Sequence, residues 1–387
     1  MHIAIVCYPT YGGSGVVATE LGRQLAQRGH KVHFVSLSMP FRLQHRYHEN
    51  IFFHEVDKTN YPLFGNESLY TLSLAAKLLE LIERENLDII HSHYAIPHAV
   101  SACLAKEMAH PRRIPTIVTL HGTDITLVGK EPAFKSVVRC GIERSDAVTA
   151  VSHWLQRETI REFEVKRPIQ VIYNFFDFDT ERYCKWGEGG CHRDHYAAPG
   201  EKIILHVSNF REVKRTPDVV RTFARIAKEL PAKLLLVGDG PESGKTLALA
   251  RELGVMDRVW YVGKQDVVEP FFCIADLFLF PSDHESFGLA ALEALAFGTP
   301  VVASRSGALP EVITDGQDGF LADVGDCAQM GDLALKLLRD EALYQQMSDH
   351  ARKTALERFA PKPIVDQYEQ LYLRTIEAVH SPAAQKE

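Results

Sequence analysis

The sequence predicts an α/β protein with two successive doubly wound domains, each built on a parallel sheet. The chain has 387 residues, more than twice the roughly 150 residues of an average domain. Short, continuous apolar runs alternate with helical segments, as in a parallel sheet that is covered by helices on both faces. The same alternation then starts again in the second half of the chain.

The first half of the chain contains six predicted strands and five predicted helices. Each strand is a short apolar run, and each helix has apolar residues at spacings of three and four. The strands are predicted at 3–7, 31–36, 89–92, 115–120, 147–151 and 169–173, and the helices at 16–28, 69–84, 98–108, 133–144 and 152–163.

The second half repeats this order and then becomes helical. Its strands are predicted at 202–207, 233–238, 259–262, 277–280 and 300–303, and its helices at 217–230, 243–253, 289–297, 332–339, 341–358 and 363–379. The most turn-rich stretch, residues 186–190, lies between the two halves. We therefore expect one domain over residues 1–173 and a second over 174–362.

The composition excludes several classes of protein. Lys and Arg number 43 against 50 Asp and Glu, a net charge of −7, so the basic face of a nucleic-acid-binding protein is not expected. A hydrophobic fraction of 46% is too high for a disordered chain. No apolar run reaches the length of a membrane span, the N-terminus lacks the pattern of a signal peptide, and the seven cysteines are widely spaced. We expect a cytoplasmic protein with reduced thiols and no stable membrane insertion.

The first candidate for ligand binding is Gly12-Gly13-Ser14-Gly15, between the first strand and a helix. Glycines let the backbone approach a ligand closely, and a helix N-terminus offers unpaired N–H groups to an anion. A tight turn without a ligand is the alternative. A nicotinamide cofactor is not favoured, because Ala18 follows the glycines and no acidic residue ends the second strand.

A second glycine cluster, residues 238–246, imitates the phosphate-binding loop of nucleoside-triphosphate enzymes. That loop has a glycine five positions before its Gly-Lys-Thr, and Asp239 stands at that position here. Pro241 would also disturb the cradle of backbone amides. We interpret the cluster as a strand-to-helix turn and leave open a contact with substrate.

The third feature is a pair of glutamates eight residues apart, Glu285 in the loop after a strand and Glu293 inside the following helix. Phe287, Gly288 and Leu289 lie at the start of that helix, where N–H groups and the helix dipole favour a diphosphate. A carboxylate on the helix can hold the hydroxyls of a ribose, and one in the loop can reach a sugar. Solvated acidic residues are the alternative, which the apolar neighbours of Glu293 disfavour.

Cations that could neutralise phosphates occur in the basic segment 209–215, after the first strand of the second domain. Loops that follow parallel strands line the ligand crevice of such a domain. Lysine and arginine are also common on solvated surfaces. We favour a function for Lys214 and for one arginine, and we assign the other cations to the surface.

Two groups of residues have metal-binding side chains: Cys184, Cys191, His192 and His195 in one, and His91, His93 and His98 in the other. The spacing of the first group fits no standard zinc motif, so we interpret it as a variable loop. In the second group, at a strand end, hydrogen-bonded histidines are favoured over metal ligands. Zinc binding by the first group stays open.

Together, these motifs resemble the retaining glycosyltransferases of family 4, which have the GT-B fold. The resemblance rests on the two glutamates, Lys214, the N-terminal glycine loop and the segment 306–312, and it covers nearly the whole chain. Within the family, the chain is similar above all to the malate-using members of bacillithiol biosynthesis. The segments that carry this similarity are 7–9, 12–15, 40–43, 91–98, 120–126 and 207–215.

The resemblance implies a site for UDP-N-acetylglucosamine in the second domain. The catalytic residues that it implies are Lys214, Glu285, His121 and Arg211. Lys214 would neutralise the diphosphate, and Arg211 would replace an arginine that most of the family has at the position of Asn209. The residues implied in donor binding are Gly13, Asn209, Ser286, Phe287, Gly288, Leu289 and Glu293.

The resemblance also implies that the first domain binds L-malate as the acceptor. The residues assigned to the acceptor are Gly12, Ser14, Tyr94, Thr123 and Arg139. Arg139 is chosen because a planar guanidinium suits a carboxylate. Lys135 is the competing cation, and an ordinary surface arginine is the alternative for Arg139.

The GT-B fold implies two Rossmann-like domains that face each other across a cleft, with helix 363–380 returning to the first domain. No cofactor or divalent metal is implied, because the UDP-sugar is a substrate. Another small acceptor such as inositol phosphate is one alternative, and a sugar-nucleotide-binding protein without catalysis is another. A homo-oligomer is compatible with the sequence.

Overall fold

The computed structural model describes residues 1–10, 12–44, 47–57, 69–177 and 192–381. The chain divides into two compact units. Unit 1 consists of Met1–Phe175 together with Pro361–Glu387, and unit 2 consists of Phe176–Ala360. Each unit is an α/β structure with its own parallel sheet, so unit 1 is discontinuous in sequence.

The described part of unit 1 has a parallel sheet of seven strands in the order β3-β2-β1-β4-β5-β6-β7. The strands are β1 (His2–Val6), β2 (Lys31–Ser36), β3 (Ile51–Glu55), β4 (Ile89–His93), β5 (Thr116–Leu120), β6 (Ala147–Ala150) and β7 (Ile169–Val171). The strand order reverses between β1 and β4. A reversal of this kind opens a crevice at the carboxyl ends of the strands.

Helices cover both faces of this sheet. They are α1 (Gly13–Gln27), α2 (Tyr70–Arg84), α3 (Val100–Met108), α4 (Thr123–Thr126), α5 (Pro132–Arg144) and α6 (His153–Phe163). Alternate residues of β1 serve the two faces, as the twofold repeat of a strand requires. Ile3 and Ile5 pack in the core that contains α1, and Ala4 and Val6 pack in the core that contains α2.

The described part of unit 2 has a parallel sheet of six strands in the order β10-β9-β8-β11-β12-β13. The strands are β8 (Lys202–Val207), β9 (Ala232–Val237), β10 (Val259–Gly263), β11 (Leu277–Phe280), β12 (Val301–Ser304) and β13 (Gly319–Ala322). The order reverses between β8 and β11, so this sheet has its own crevice at the same topological position.

Unit 2 contains the helices from residue 193 to residue 358. They are α7 (Arg193–Tyr196), α8 (Thr216–Glu229), α9 (Ser243–Glu252), α10 (Glu269–Ile274), α11 (Leu289–Phe297), α12 (Leu309–Val312), α13 (Cys327–Arg339) and α14 (Glu341–Arg358). Most of α11 is buried. In the described part of the chain, no helix is both long enough and apolar enough to cross a membrane.

The last helix, α15 (Pro361–His380), belongs to unit 1 and completes its core. Tyr368 and Tyr372 are fully buried against residues of β1 and α1. The Tyr372 hydroxyl lies 2.7 Å from Nδ1 of His91 on β4. At the edge of the helix, Arg28 pairs with Asp366 at 2.6 Å. The returning helix that the resemblance implies is therefore present.

The sequence prediction is wrong about two strands, β3 and β13, which it omits. Both lie at an edge of their sheet. β3 is only partly buried along its length, so it lacks the continuous apolar pattern of a central strand. β13 has four residues and begins at Gly319, where a Cβ would lie 2.7 Å from the Val301 carbonyl oxygen. The glycine therefore indicates close strand contact and not a turn.

Candidate active site

In unit 1, the predicted residues that follow β1, β4 and β5 come together at the reversal of the strand order. We call Ser14, Tyr94, His121 and Thr123 the unit 1 cluster. Ser14 lies in the first turn of α1, Tyr94 directly follows β4, and the last two residues flank the turn after β5. The carboxyl ends of these neighbouring strands bring the cluster together.

The glycine loop is the first turn of α1, which begins at Gly13 and not at residue 16 as the sequence predicts. Gly12 is the N-cap residue, and no described side chain caps the helix. A Cβ on Gly15 would lie 2.5 Å from the Thr10 carbonyl oxygen, so glycine is required for this close turn into the helix. The uncapped N-terminus leaves the first N–H groups of α1 able to bind an anion beside Ser14.

Tyr94 connects the two sides of the reversal. Its hydroxyl lies 2.7 Å from Ser14 Oγ and is also hydrogen-bonded to the Thr123 side chain. Burial raises the pKa of Tyr94 to about 12, so the phenol stays protonated at neutral pH. The backbone φ of Tyr94 is 104°, which lies in the region that favours glycine. This conformation costs on the order of 1–3 kcal/mol of folding free energy. Strained residues of this kind are concentrated at functional sites.

A buried carboxylate, Asp124, holds the loops after β4 and β5 together. Its Oδ2 accepts a hydrogen bond from the Ala95 N–H at 2.9 Å, and its Oδ1 accepts one from the Gly122 N–H at 3.0 Å. Burial raises the pKa of Asp124 to about 6, and the backbone N–H groups oppose that shift. Asp124 therefore fixes the positions from which Tyr94 and His121 project.

His121 is hydrogen-bonded to a second histidine beneath it. Its Nε2 lies 2.8 Å from Nδ1 of His93, the last residue of β4. Burial, reinforced by the neighbouring His98, lowers the pKa of His121 to about 3. Burial also lowers the pKa of His93 well below its ordinary value. Both imidazoles are therefore neutral at physiological pH.

The other histidines at this strand end are also hydrogen-bonded. Nδ1 and Nε2 of His91 lie 2.7 Å from Tyr372 and Thr119 hydroxyls, respectively, and Nδ1 of His98 donates to the His93 carbonyl oxygen. The hydrogen-bonded interpretation of these histidines is therefore confirmed. No group of three or more His, Cys, Asp or Glu residues within the described ranges is arranged to hold a metal ion.

The zinc alternative at 184–195 lies partly outside the described residues, because Cys184 and Cys191 fall in the gap before residue 192. His192 caps α7 through its backbone. The ring of His195 packs against Tyr196 and Trp260, at centroid distances of 4.8 and 5.5 Å.

The two candidate cations for the acceptor differ in their surroundings. Lys135 forms an ion pair with Glu162 of α6 at 3.4 Å. Arg139 is exposed on α5 and, among the described residues, has no side-chain hydrogen bond to the unit 1 cluster. The role of Arg139 in acceptor binding stays a prediction.

In unit 2, Lys214 and Glu285 meet at the reversal between β8 and β11, and we call them the unit 2 pair. Lys214 Nζ lies 2.6 Å from Glu285 Oε1 and 5.4 Å from the centroid of the Phe280 ring. Both side chains are largely buried, with 19% and 10% of their surface exposed. The pair fixes a cation at the carboxyl edge of the sheet, where a phosphate can reach it.

The segment after β12 fixes the backbone of Glu285. The Ala308 N–H donates to the Glu285 carbonyl oxygen at 2.8 Å. A Cβ on Gly307, whose φ is 56°, would lie 2.3 Å from the same oxygen. The hydroxyl of Ser306, in the same segment, donates to the Ser282 carbonyl oxygen at 3.1 Å.

The N-terminus of α11 follows directly. Gly288 is its N-cap residue with a φ of 97°, and no described side chain caps the helix. Phe287 is buried with its ring against Phe359, at a centroid distance of 5.7 Å. Leu289 begins the helix, as predicted, and Glu293 lies half-buried one turn further on. Ser286 is partly buried in the loop before them.

The basic segment 209–215 separates into different roles. Arg215 binds Asp218 through its Nε and Nη2 atoms at 2.6 Å, so it supports the start of α8. Asn209 and Arg211 are exposed after β8, and Arg211 has no ion pair with any described residue. Arg211 is therefore the arginine of this segment that can bind a ligand.

The second glycine cluster packs against the same segment. A Cβ on Gly238 would lie 1.8 Å from the Ser208 carbonyl oxygen, and one on Gly240 would lie 2.1 Å from that of Asn209. Close backbone packing therefore accounts for these glycines, and the interpretation as a strand-to-helix turn is confirmed.

Comparison with known proteins places these two units in one family. A model described as Glycosyltransferase Family 4 matches residues 11–180, and one described as Glycosyl transferases group 1 matches residues 192–354. The chain belongs to the glycosyltransferases of family 4, and it is a UDP-sugar glycosyltransferase.

Among individual relatives, the chain is 49% identical to N-acetyl-alpha-D-glucosaminyl L-malate synthase of Bacillus anthracis, over 96% of each protein. It is 38% identical to D-inositol 3-phosphate glycosyltransferase of Mycolicibacterium smegmatis, over 68% of this chain and 63% of the relative.

Solved structures confirm the GT-B fold. Anabaena Alr3699/HepE in complex with UDP-glucose matches with a TM-score of 0.80 at 19% identity, over 97% of this chain and all of that one. Sucrose-phosphate synthase from Thermosynechococcus elongatus matches with a TM-score of 0.77 at 20% identity, over 98% of this chain and all of that one.

Sequence patterns indicate no catalytic or substrate-binding role for His93 or Asp124, which the structure places beside the unit 1 cluster. Both lie in segments on which the resemblance rests. The signal that could have found them is that each lies within four residues after the end of a predicted strand. Polar residues at the carboxyl ends of adjacent parallel strands converge.

Proposed function

We propose that this protein transfers N-acetylglucosamine from UDP-N-acetylglucosamine to the hydroxyl of L-malate, with retention of the anomeric configuration. The observation that carries the proposal is the 49% identity to the malate synthase of Bacillus anthracis over nearly the full length of both chains. The reaction would be the first step of bacillithiol biosynthesis.

The unit 1 cluster supports a small acceptor with hydroxyl and carboxylate groups. It offers the hydroxyls of Ser14, Tyr94 and Thr123 as hydrogen-bond partners. The uncapped N-terminus of α1 adds a favourable dipole for a carboxylate. We assign the acceptor to this cluster, with Gly12 and Arg139 as further contacts.

The unit 2 pair and the N-terminus of α11 support binding of the donor diphosphate. Lys214, Arg211 and the N–H groups at Gly288 and Leu289 would stabilise the charge that develops on the leaving group. Glu285 would bind the sugar. Glu293 would bind the ribose, while Gly13, Asn209, Ser286 and Phe287 complete the donor contacts.

The reaction that we propose is a front-face displacement. The bond from the anomeric carbon to the diphosphate oxygen breaks, and the malate oxygen bonds to the same face of that carbon. The malate hydroxyl proton passes to the leaving diphosphate, so no protein carboxylate is needed as a base. Protein cations carry the phosphate charge, and we propose that no divalent metal is required.

The decisive experiment measures UDP release from UDP-N-acetylglucosamine with and without L-malate, with D-malate as the matched control. We expect strong stimulation by L-malate, an α-linked product by NMR, and an unchanged rate after treatment with a chelator. Absence of stimulation by L-malate would contradict the proposed acceptor.

A second candidate acceptor is an inositol phosphate, favoured by the 38% identity to the D-inositol 3-phosphate glycosyltransferase. The same UDP-release assay with D-inositol 3-phosphate tests it. A rate above that with L-malate would favour this second acceptor.

A further inference from the structure

His93 and His121 form a buried hydrogen bond in which the position of one proton is undetermined by distance alone. His93 Nδ1 and His121 Nε2 are 2.8 Å apart. Both rings are neutral, so one nitrogen must carry the shared proton and the other must accept it. The two arrangements leave His121 with opposite chemistry at its remaining nitrogen, Nδ1.

The other nitrogen of His93 distinguishes the two arrangements. His93 is fully buried, and its Nε2 has no hydrogen-bond partner. If His121 donated to His93, the proton of His93 would sit on this isolated Nε2. Buried N–H groups without an acceptor are rarer than buried acceptors without a donor. The arrangement in which Nε2 of His93 is an unprotonated lone pair is therefore favoured.

We propose that His93 is a positioning residue that donates its Nδ1–H to Nε2 of His121 and so holds His121 as the Nδ1–H tautomer. The backbone of His93 is fixed because its carbonyl oxygen accepts a hydrogen bond from His98, and its ring packs against that of His91 at a centroid distance of 4.4 Å. His121 is partly exposed, and its Nδ1 has no partner among the described residues. That N–H is then a donor directed at an oxygen of the ligand.

This inference rests on the proposed function, because the oxygen acceptor is then a hydroxyl or carbonyl of the transferred sugar. A neutral imidazole fixed in this tautomer gives a hydrogen bond and does not remove a proton. His121 is therefore a donor to the sugar and not the base for the malate hydroxyl, in agreement with proton transfer to the leaving diphosphate.

The test is NMR of the full-length protein labelled with ¹⁵N-histidine, without substrate. We expect the His121 signals to show a protonated Nδ1 and an unprotonated Nε2. His93→Asn keeps an N–H donor near the position of Nδ1 and should preserve the tautomer, whereas His93→Leu removes the donor and should leave His121 as a mixture of the Nδ1–H and Nε2–H forms. A wild-type His121 that is protonated at Nε2 overturns the proposal, even where His93→Leu does not fold.

Kinetics supply a second measurement. His93→Leu should lower kcat about tenfold, the effect of one lost hydrogen bond, and His93→Asn should restore most of it. His91→Leu is the matched control, since His91 is equally buried on the same strand and its ring nitrogens are hydrogen-bonded to Tyr372 and Thr119 and not to His121; it should leave the His121 tautomer unchanged. Loss of the tautomer in His91→Leu overturns the specific role of His93. The NMR result does not depend on the acceptor, so a failure with L-malate leaves it intact.

Discussion

The two sheets carry their candidate residues at the same topological position but with different chemistry. At the reversal between β1 and β4, unit 1 gathers hydroxyls and imidazoles that burial keeps uncharged. At the reversal between β8 and β11, unit 2 has a cation and a carboxylate 2.6 Å apart. The fold therefore determines where the two candidate sites lie, and the charge of the side chains determines which ligand each site can accept.

The largest expected effect tests the charged side of this comparison. Lys214→Ala removes the cation from the reversal of unit 2, and we expect kcat to fall by about 10²–10³-fold, as for other groups that stabilise a leaving charge. Steady-state UDP release measures it. The matched control is Lys245→Ala, because that lysine is exposed and pairs with Glu242 of its own helix turn. A wild-type rate in Lys214→Ala would exclude this residue from the mechanism.

A smaller effect on the kinetics is expected from a change in the uncharged unit 1 cluster. Tyr94→Phe removes the hydroxyl that bonds Ser14 and Thr123, and we expect the KM for the acceptor to rise about tenfold. The KM for the UDP-sugar should stay the same. Tyr70→Phe is the control, because its hydroxyl lies 3.5 Å from His98 Nε2, outside the unit 1 cluster. An equal rise in both KM values would contradict the assignment of the acceptor to unit 1 and of the UDP-sugar to unit 2.

Acidification should have a more moderate effect, through Asp124. The pKa of this buried carboxyl is raised from 3.8 to about 6. The protonated form of Asp124 therefore stabilises the folded protein. This contribution is complete below the pKa of the unfolded chain, 3.8, and is lost as the pH rises through about 6. The ionised form is the better acceptor for the Ala95 and Gly122 N–H groups. Activity should therefore fall as the pH drops below about 6, while this contribution to stability rises.

The measurement is kcat and thermal unfolding against pH, for wild type and Asp124→Asn. The variant should be less active than wild type at neutral pH. Its activity should not fall further as the pH drops below about 6, because an amide does not titrate. His91 and His121 do not account for such a loss of activity in acid, since burial lowers their pKa values to about 3. If kcat still falls in the same way below pH 6 in Asp124→Asn, the loss of activity belongs to another titrating group.

The smallest effect on catalysis is expected from the helix that completes unit 1. Tyr372→Phe leaves the buried Nδ1 of His91 without its partner, at a cost of ~1–3 kcal/mol in the free energy of unfolding. The thermal midpoint should fall while kcat changes little. Tyr47→Phe, at a side chain that is 94% exposed, should leave the midpoint unchanged. An equal midpoint in both variants would mean that the His91–Tyr372 contact does not stabilise the protein.

The sequence predicts the interior strands of both sheets but only two of the four edge strands, β7 and β10. β2, β8 and β11 have the predicted bounds, because a strand buried on both faces is a continuous apolar run. β3 is omitted because it is only partly buried, and β13 because it is four residues long and begins at a glycine. The first turn of α1 is missed as well, because glycines oppose a helix in isolation and only the close approach to Thr10 requires them there.

The candidate site shows the same limit. Glu285, Gly288 and Glu293 are recognisable because they lie within one strand-to-helix connection, where spacing in sequence gives spacing in the structure. Asp124 accepts hydrogen bonds from the N–H groups of Ala95 and Gly122. These two residues are 27 positions apart in sequence and lie in different loops. The role of Asp124 requires knowledge that β4 and β5 are neighbours, which local patterns do not contain.

The place of α15 has a consequence for how the protein is made. Unit 1 needs this helix to cover its core, yet about 185 residues of unit 2 lie between, which a ribosome adds in roughly 10–40 s at ~5–20 residues per second. During that time unit 2 can fold, but β1, α1 and His91 lack their contacts with Tyr368 and Tyr372. The nascent first half therefore exposes apolar surface that a chaperone would recognise.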